Sequence, residues 1–292
     1  MCRKSSMLYP PQINYERPES ISEALSLLNE HSRPFLIAGG TIGVLNLKRR
    51  ALSPDLVIDI GRLKELKGID FRDEKYRIGS AVKIYEIIDS EFNGPGFSLL
   101  KKAASSVGDP LLRNMGTVGG NVCIGDPSND LPPALLALGA ELNIVGKAGS
   151  RNLNISSFYI GPYRNLLAKN EILGSINFAE PGKGYRWFYY KHYIRHLDHS
   201  VVNVAALAKV EGKKIDDLRI AIGGMSVRVP TLIETSWIKG ITAGQEELQR
   251  VVKLASEKCL CLDDRHGSAE YKKNMIEKVT QMAFLSVVGG VL

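Results

Sequence analysis

A glycine-rich segment of nine residues, 113–121, constrains this chain more strongly than any other part of its sequence. Six of these residues are glycine or carry a small polar side chain: Gly116, Gly119, Gly120, Asn114, Thr117 and Asn121. A backbone without Cβ atoms can approach a phosphate closely, and the N–H groups of such a turn converge on an anion. A second segment of this kind, residues 38–41, follows an apolar run and contains Gly39 and Gly40. Two such loops in one chain indicate a large phosphorylated cofactor.

Length and apolar content place the chain among ordinary globular proteins. Its 292 residues, 44% of them hydrophobic, leave room for two domains or one large domain. The longest apolar runs fall far short of the roughly 20 residues that a membrane helix needs. The basic residues at the amino terminus are followed by Tyr9-Pro10-Pro11 and not by an apolar core, so no secretory signal is predicted there. We therefore expect a cytoplasmic protein without a membrane span.

The net charge of +7 raises the question of nucleic-acid binding. Basic residues are dispersed, however, only residues 48–50 form a tight run, and no nucleic-acid-binding motif is visible. A basic face for an acidic protein partner or a nucleotide explains the charge equally well. The four cysteines are too few and too scattered for a disulfide framework. Cys259 and Cys261 are predicted to be a buried, inert thiol pair.

Three histidines, His192, His196 and His199, have a spacing that would place metal ligands on one helix face. The flanking residues 187–190 and 201–204 favour strands, where this spacing does not converge. Basic side chains between the histidines would also repel a cation. No metal site is predicted, and the role of the three histidines stays open.

Hydrophobic periodicity divides the chain into two regions. A capping-box pattern that begins at Ser20 predicts a helix over 20–29, and it opens a small α/β unit with a parallel strand pair. The remaining elements of this unit are a strand at 35–38, a helix at 44–48 and a strand at 56–60. Further strands are predicted at 77–80 and 141–145, with helices at 84–90, 98–105 and 130–140. A turn cluster at 181–184 marks the domain boundary.

Beyond residue 184 the pattern changes to a run of strands followed by a run of helices. Strands are predicted at 185–193, 201–210 and 218–222, and helices at 246–256 and 269–287. This order is typical of an α+β domain.

The usual nucleotide-binding fingerprints are missing, because neither a strand followed by G-x-G-x-x-G nor a P-loop sequence occurs. A dinucleotide would therefore be bound by a structural motif other than a Rossmann fingerprint or a P-loop. No pattern typical of a catalytic nucleophile is visible either. Two ligand loops without acid–base machinery are expected when a cofactor carries the chemistry.

Several motifs in a fixed order resemble the FAD-binding (medium) subunits of molybdenum hydroxylases, the xanthine dehydrogenase and carbon monoxide dehydrogenase relatives. The motifs are residues 38–41, the segment 113–121, residues 130–134 and the stretch 264–271. The resemblance runs over nearly the whole chain.

The resemblance implies an α+β fold, with a PCMH-type FAD-binding domain of two α/β subdomains followed by a C-terminal α+β domain like that of the carbon monoxide dehydrogenase flavoproteins. The first domain would span residues 1–180, with subdomains of about 1–61 and 62–180. The second would span residues 181–292.

The resemblance also implies FAD as the cofactor and no catalytic residue of the chain's own. The two glycine loops would hold the pyrophosphate with backbone N–H groups, Asp130 would hold the ribityl chain, and Lys191 would lie near the isoalloxazine and stabilise negative charge on reduced flavin. The binding residues so implied are Ala38, Gly39, Gly40, Thr41, Ile42, Gly43, Asn114, Thr117, Gly119, Gly120, Asn121, Asp130 and Lys191.

The implied role is electron transfer in an oxidoreductase. A molybdopterin-binding large subunit would hydroxylate the substrate, and a small [2Fe-2S] subunit would relay electrons to the flavin for NAD or another acceptor, in a heterotrimer. Ile42 departs from the family pattern, which often has an acidic residue there. Two alternatives stay open: a self-contained FAD-dependent oxidase or reductase of the same fold, and a scaffold subunit that has lost FAD.

Overall fold

The computed structural model of the chain describes residues 12–289. The interpretation of residues 1–11 as lacking a secretory signal falls outside the described residues. No helix between residues 12 and 289 combines the length and the apolar character that a bilayer crossing requires.

The first layer of the fold is a small parallel sheet with two helices. Its elements are β1 (Asn14–Glu16), α1 (Ile21–Glu30), β2 (Pro34–Ile37), α2 (Thr41–Lys48) and β3 (Leu56–Asp59). The strand order is β1-β3-β2, and both strand pairs are parallel. The predicted α/β unit with a parallel pair is confirmed. Strand β1 was not predicted, because its three residues are exposed and carry no apolar pattern.

Helix α1 begins where the capping pattern places it. The Ser20 side chain accepts a hydrogen bond from the Glu23 N–H at 3.1 Å, and the Glu23 carboxylate accepts one from the Glu19 N–H at 2.7 Å. Ala24, Leu25 and Leu28 are buried on one face of the helix. The helix prediction is therefore confirmed together with its physical cause.

The second layer is a five-stranded antiparallel sheet covered by helices. Its elements are β4 (Ile69–Arg72), β5 (Lys75–Gly79), α3 (Ile84–Asp89), α4 (Pro95–Ser105), α5 (Pro110–Met115), α6 (Val118–Cys123), α7 (Leu131–Ala137), β6 (Glu141–Gly146), β7 (Gly149–Asn154), β8 (Tyr159–Gly161), β9 (Arg164–Asn165) and β10 (Glu171–Ala179). The strand order is β4-β5-β10-β6-β7, with β8 and β9 paired separately. Strand β10 lies at the centre and carries a register shift at Gly174, which interrupts its apolar pattern. This explains why it was not predicted.

The glycine-rich segment 113–121 was expected to be a loop, and the structure corrects this expectation. It consists of the end of α5 and the start of α6, with Gly116 and Thr117 between the two helices. The Asp109 side chain caps α5, accepting from the Leu112 N–H at 2.9 Å. The Thr117 side chain caps the glycine-containing helix α6, accepting from the Gly120 N–H at 3.1 Å, and such caps stabilise short helices.

The third layer is a second antiparallel sheet with its own helices. Its elements are β11 (Tyr185–His192), β12 (Val202–Glu211), β13 (Lys214–Gly223), β14 (Thr231–Ile233), α8 (Gln245–Lys258) and α9 (Ala269–Val288), and the strand order follows the chain. The predicted strands and helices of this region are confirmed.

Both faces of the third sheet are covered by helices. Side chains from one face, among them Tyr189, Ala205 and Leu207, join the core of the second layer and pack against α4 and α7. Side chains from the opposite face, such as Val204 and Ala206, pack against α8 and α9. The strand alternation of period two sends successive residues to these two cores.

Candidate functional site

A cleft of about 340 Å³ lies where the start of α2, the segment 116–130 and the end of β11 meet. All but two of the residues that the sequence suggested for cofactor binding line it. They are Ala38, Gly39, Gly40, Thr41, Ile42, Gly43, Thr117, Gly120, Asn121, Asp130 and Lys191. The fold therefore brings together side chains from all three layers.

The first wall of the cleft is the amino terminus of α2. Helix α2 begins at Thr41, three residues earlier than predicted, because Gly40 turns the chain sharply with a left-handed φ of 73°. No side chain caps this helix end. The first N–H groups of a helix have no partner within it, so those of Thr41, Ile42 and Gly43 are available to a ligand. Such groups, together with the helix dipole, favour an anion.

The two glycine segments touch each other at this wall. A Cβ atom on Gly39 would overlap the Met115 carbonyl oxygen and would lie 2.9 Å from the Gly116 Cα. The Lys83 ammonium donates a hydrogen bond to the same Met115 oxygen at 2.7 Å. Glycine is required at position 39 because two backbones meet there without intervening side chains.

The second glycine segment does not offer the open N–H groups that were expected. Its four N–H groups at positions 118–121 are all bonded within the protein, to Val82 O, Ser80 O, Thr117 Oγ1 and Thr117 O respectively. Helix α6 contributes Gly120, Asn121 and Cys123 to the cleft lining. The Asn121 Oδ1 atom is buried and has no hydrogen-bond partner among the described residues. A buried polar atom without a partner is unfavourable, so a ligand donor at this point would be stabilising.

Asn114 and Gly119 are the two predicted residues outside the lining. Asn114 is exposed on α5. Gly119 packs inward, where a Cβ atom would lie 2.6 Å from the Ser80 Cβ. Its lack of a side chain serves helix packing and not the approach of a ligand.

An ion pair forms the opposite wall of the cleft. The Lys191 Nζ lies 2.9 Å from Asp130 Oδ2 and 3.0 Å from the Ser106 carbonyl oxygen. The exposed fractions of the two side chains are 8% for Lys191 and 5% for Asp130. An ammonium has three N–H donors, and these two acceptors use two of them. The third donor is available to a ligand, because Lys191 lines the cleft.

Asp130 occupies the N-cap position of α7, but its side chain does not cap the helix. The carboxylate instead accepts from the Tyr189 hydroxyl at 2.8 Å and from Lys191. Burial raises the pKa of Asp130, while the Lys191 charge and these hydrogen bonds act in the opposite direction. Burial and the Asp130 charge raise the pKa of Tyr189, so its hydroxyl stays a donor at neutral pH.

His192 and His199 have separate hydrogen-bond partners, and the His196 ring packs edge-on against Tyr193. His192 Nε2 lies 2.7 Å from the Tyr271 hydroxyl, and burial lowers the pKa of His192. His199 Nδ1 lies 2.8 Å from Ser128 Oγ, which donates to Asp126 at 2.7 Å.

The described residues 12–289 contain no group of three or more histidine, cysteine or acidic side chains placed to hold a metal ion. The predicted thiol pair is only partly buried, because Cys259 is buried but Cys261 is half-buried. Burial raises the pKa of the Cys259 thiol to about 12, which makes it unreactive at neutral pH.

Several lining residues were not found from the sequence. They include Ile84, Val107, Gly108, Leu112, Ser128, Leu197, Asp198 and His199. Most come from helix ends and turns without a recognisable motif, and only the fold places them together. Within residues 193–200 the sequence drew attention only to His196 and His199, as candidate metal ligands and not as lining of a cofactor site.

The cleft has the chemistry of a dinucleotide site. Three N–H groups at a helix end suit a diphosphate, the glycine backbones leave space for close approach, and apolar side chains with one buried cation suit a planar ring system. The unsatisfied Asn121 oxygen marks a further polar contact.

Comparison with known proteins gives two family matches that together cover nearly all of the described chain. Residues 11–180 match the FAD binding domain in molybdopterin dehydrogenase, and residues 187–287 match the CO dehydrogenase flavoprotein C-terminal domain. The glyceraldehyde dehydrogenase medium chain of Sulfolobus acidocaldarius is 31% identical over 96% of this chain and 100% of its own length. The xanthine dehydrogenase FAD-binding subunit of Escherichia coli O157:H7 is 32% identical over 75% of each chain.

Solved structures show the same relationship. A carbon monoxide dehydrogenase chain from Hydrogenophaga pseudoflava, in a form which lacks the Mo-pyranopterin moiety of the molybdenum cofactor, superposes with a TM-score of 0.92. The match has 29% sequence identity and covers 96% of this chain and 98% of the other.

Proposed function

The chain belongs to the family of FAD-binding medium subunits of molybdenum hydroxylases, and from this premise we propose that it is the electron-transfer subunit of such an enzyme. Its cofactor is FAD, and it is an oxidoreductase subunit. In the proposed complex, a large molybdopterin-binding subunit hydroxylates the substrate and a small subunit relays electrons through [2Fe-2S] clusters. NAD or another acceptor takes the electrons at the end, and we place this heterotrimer in the cytoplasm.

One observation carries the proposal more than any other. The uncapped amino terminus of α2 and the buried Lys191–Asp130 pair face one cleft, at the ends expected for a diphosphate and a flavin ring. When bound, FAD links carriers of single electrons to an acceptor of an electron pair. We assign the diphosphate to the N–H groups of residues 41–43 and a polar contact to Asn121.

The chain's own residues bind, orient and shield the cofactor. Lys191 would donate its third N–H into the cleft, and Asp130 would hold that ammonium in place and not the ribityl chain. Apolar side chains, among them Ile84 and Leu112, would exclude water from the ring system. The assignment of residues 1–180 to the FAD-binding domain and 181–292 to the second domain belongs to the same proposal.

Flavin binding by the full chain is the first test. Purified chain, incubated with FAD and desalted, should retain about one flavin per chain, as measured by its visible absorbance. If no flavin is retained at any FAD concentration, the chain is a scaffold and the electron-transfer proposal is wrong.

A pair of asparagine variants tests the position of the site. Asn121→Ala should weaken FAD binding by about fivefold, because a hydrogen bond in a buried site contributes roughly 1 kcal/mol. Asn114→Ala is the matched control from the same segment and should bind like the natural chain, since Asn114 lies on the exposed side of α5. Equal weakening in both variants would contradict the placement of the cofactor.

The role in a complex is tested by co-purification. Tagged chain, produced in its native host, should bring down two further proteins, one containing molybdenum and one showing the absorbance of [2Fe-2S] clusters. Turnover of an organic substrate by the flavin-loaded chain alone would instead identify a self-contained oxidase or reductase.

A further inference from the structure

Tyr189 stands at the centre of the buried cluster behind the cation of the cleft. Its hydroxyl lies 2.8 Å from Asp130 Oδ1, and its exposed fraction is 5%. Lys191 follows two residues later on the same face of β11, because side chains on a strand alternate. Asn203 on β12 is the cross-strand partner of Lys191, and its amide donates to the Asn129 carbonyl oxygen at 3.0 Å and lies 3.4 Å from Asp130 Oδ1.

The two oxygens of Asp130 have different partners. Oδ2 faces the Lys191 ammonium at 2.9 Å, while Oδ1 receives the Tyr189 hydroxyl and the more distant Asn203 amide. A buried carboxylate stays ionised only if hydrogen-bond donors replace the water it has lost. The Tyr189 hydroxyl is the shorter of the two neutral contacts, so it makes the main contribution on the side away from Lys191.

From this arrangement we propose that Tyr189 is a positioning residue, which keeps the Asp130–Lys191 pair ionised and the Lys191 ammonium directed to the cleft, and so sets the reduction potential of the bound flavin. This inference rests on the proposed function, because it assumes that the flavin ring occupies the Lys191 end of the cleft. Tyr189 itself is not a catalytic residue, since it acts through Asp130 and Lys191.

Removal of the Tyr189 hydroxyl should lower the reduction potential of the flavin, whichever of two ways the Asp130–Lys191 pair responds. If Asp130 stays ionised, its carboxylate is no longer shared with the tyrosine hydroxyl and attracts the Lys191 ammonium more strongly. The ammonium then moves away from the cleft, and the carboxylate compensates more of the lysine charge. If Asp130 instead takes a proton from Lys191, the positive charge disappears. Either way the cleft becomes less favourable for the negative charge that reduction adds to the flavin, so its potential falls.

The neighbouring residue Tyr190 provides a matched control. It lies on the opposite face of β11, is 37% exposed, and its ring stacks with that of Phe188. Tyr190→Phe also removes a tyrosine hydroxyl from β11, but this hydroxyl makes no contact with the Asp130 cluster.

The experiment measures the reduction potential of FAD bound to the full chain, by redox titration against reference dyes. We expect Tyr189→Phe to lower the reduction potential of the flavin by a smaller amount than Lys191→Met does. Tyr190→Phe should leave the potential unchanged. In the double variant, Tyr189→Phe should add no further fall to that of Lys191→Met, because its effect passes through Lys191. Asn203→Ser removes the weaker donor to Asp130 and is the second variant if Tyr189→Phe does not fold. It should also lower the reduction potential of the flavin.

The outcomes separate this inference from the function it depends on. If Lys191→Met lowers the potential but Tyr189→Phe and Asn203→Ser do not, Tyr189 has no positioning role and the flavin assignment stands. A further fall caused by Tyr189→Phe in the Lys191→Met background would equally overturn the inference. If Lys191→Met itself leaves the potential unchanged, the placement of the flavin ring is wrong.

Discussion

Gly39 shows at the scale of one residue why the cleft needs particular positions to lack a side chain. The sequence singled out Gly39 and Gly119 alike, yet their reasons differ. Gly39 allows two backbones to meet at the cleft wall, whereas Gly119 allows α6 to pack against Ser80. Only atomic neighbours distinguish these cases, because the residue type is the same in both.

We predict that Gly39→Ala weakens both folding and FAD binding. The added Cβ overlaps the Met115 carbonyl oxygen, so the two segments must separate, at a cost of about 1–3 kcal/mol in the free energy of unfolding. Urea unfolding and an FAD titration measure the two effects. Gly161→Ala is the control, since the nearest atoms to its Cβ lie 4.0 Å away, and it should behave like the natural chain. An unchanged stability in Gly39→Ala would contradict the close approach.

Lys272 is another residue that the tertiary structure explains. Its side chain is completely buried in α9, and its ammonium lies 2.7 Å from both Asp264 Oδ1 and the Leu262 carbonyl oxygen. Burial alone would raise the pKa of Asp264, but hydrogen bonds from Lys272 and the His266 N–H outweigh it and lower the pKa. Asp264 therefore stabilises the fold while it is ionised.

The pH dependence of stability follows with a definite sign. Because the folded pKa of Asp264 is below its unfolded value, its contribution is complete above the unfolded pKa of about 4 and is lost as the pH falls through the folded value. Asp264→Asn should lower the free energy of unfolding at pH 7 by about 1.5–3 kcal/mol and flatten its decline below pH 4. Unfolding curves from pH 2 to 7 measure this, with the exposed Asp89→Asn as control. Identical pH profiles for Asp264→Asn and the natural chain would refute the assignment.

At the scale of elements, the start of α6 decides how the second glycine segment is shaped. Thr117 is buried and accepts from the Gly120 N–H at 3.1 Å, which compensates for two glycines in the first turn of a six-residue helix. Sequence reasoning predicted a loop here, since glycine disfavours helix and the capping contribution of one threonine is hard to weigh against it. The short helix forms because its N–H groups are also bonded to residues 80–82.

We predict that Thr117→Val destabilises the protein while Thr117→Ser does not. Valine has the shape of threonine but cannot accept the Gly120 hydrogen bond, and loss of an N-cap costs about 0.5–2 kcal/mol. Serine keeps the accepting oxygen. Thermal unfolding of the two variants measures the difference, and equal melting temperatures would show that the cap is unimportant.

At the scale of the whole molecule, the two predicted domains share one core. Tyr189, Ala205, Leu207 and Ala221 from the third sheet belong to the same hydrophobic cluster as residues of the second layer. A hydrogen bond also joins the two regions close to the cleft, where Ser200 Oγ donates to the Ser128 carbonyl oxygen at 3.0 Å. The cleft is therefore assembled only when all layers are folded.

We predict that the full chain unfolds in a single calorimetric transition, and that FAD raises the temperature of this transition. At a free FAD concentration of 100 times the Kd, binding adds about 2.7 kcal/mol to the stability of whatever unit forms the site. Since the cleft draws on all three layers, the whole transition should shift to higher temperature. Two transitions, of which FAD moves only one, would mean that the layers unfold independently.

The sequence by itself determined the elements with a local cause. The capping residues Ser20 and Glu23, the apolar periods of the strands, and the order of the glycine motifs are all readable over a few neighbouring positions. Together with the family resemblance they were sufficient for the fold class and the cofactor, and all but two of the predicted binding residues line the cleft.

Only the tertiary structure decided which polar groups are paired and which are free. Asp130 and Lys191 were predicted as separate ligand contacts, yet they lie 61 positions apart in the chain and neutralise each other in a buried pair. Likewise, the open N–H groups belong to α2 and not to α6, because the latter are already bonded within the protein. Pairing depends on distances across the fold and on the loss of water there, which local sequence patterns do not encode.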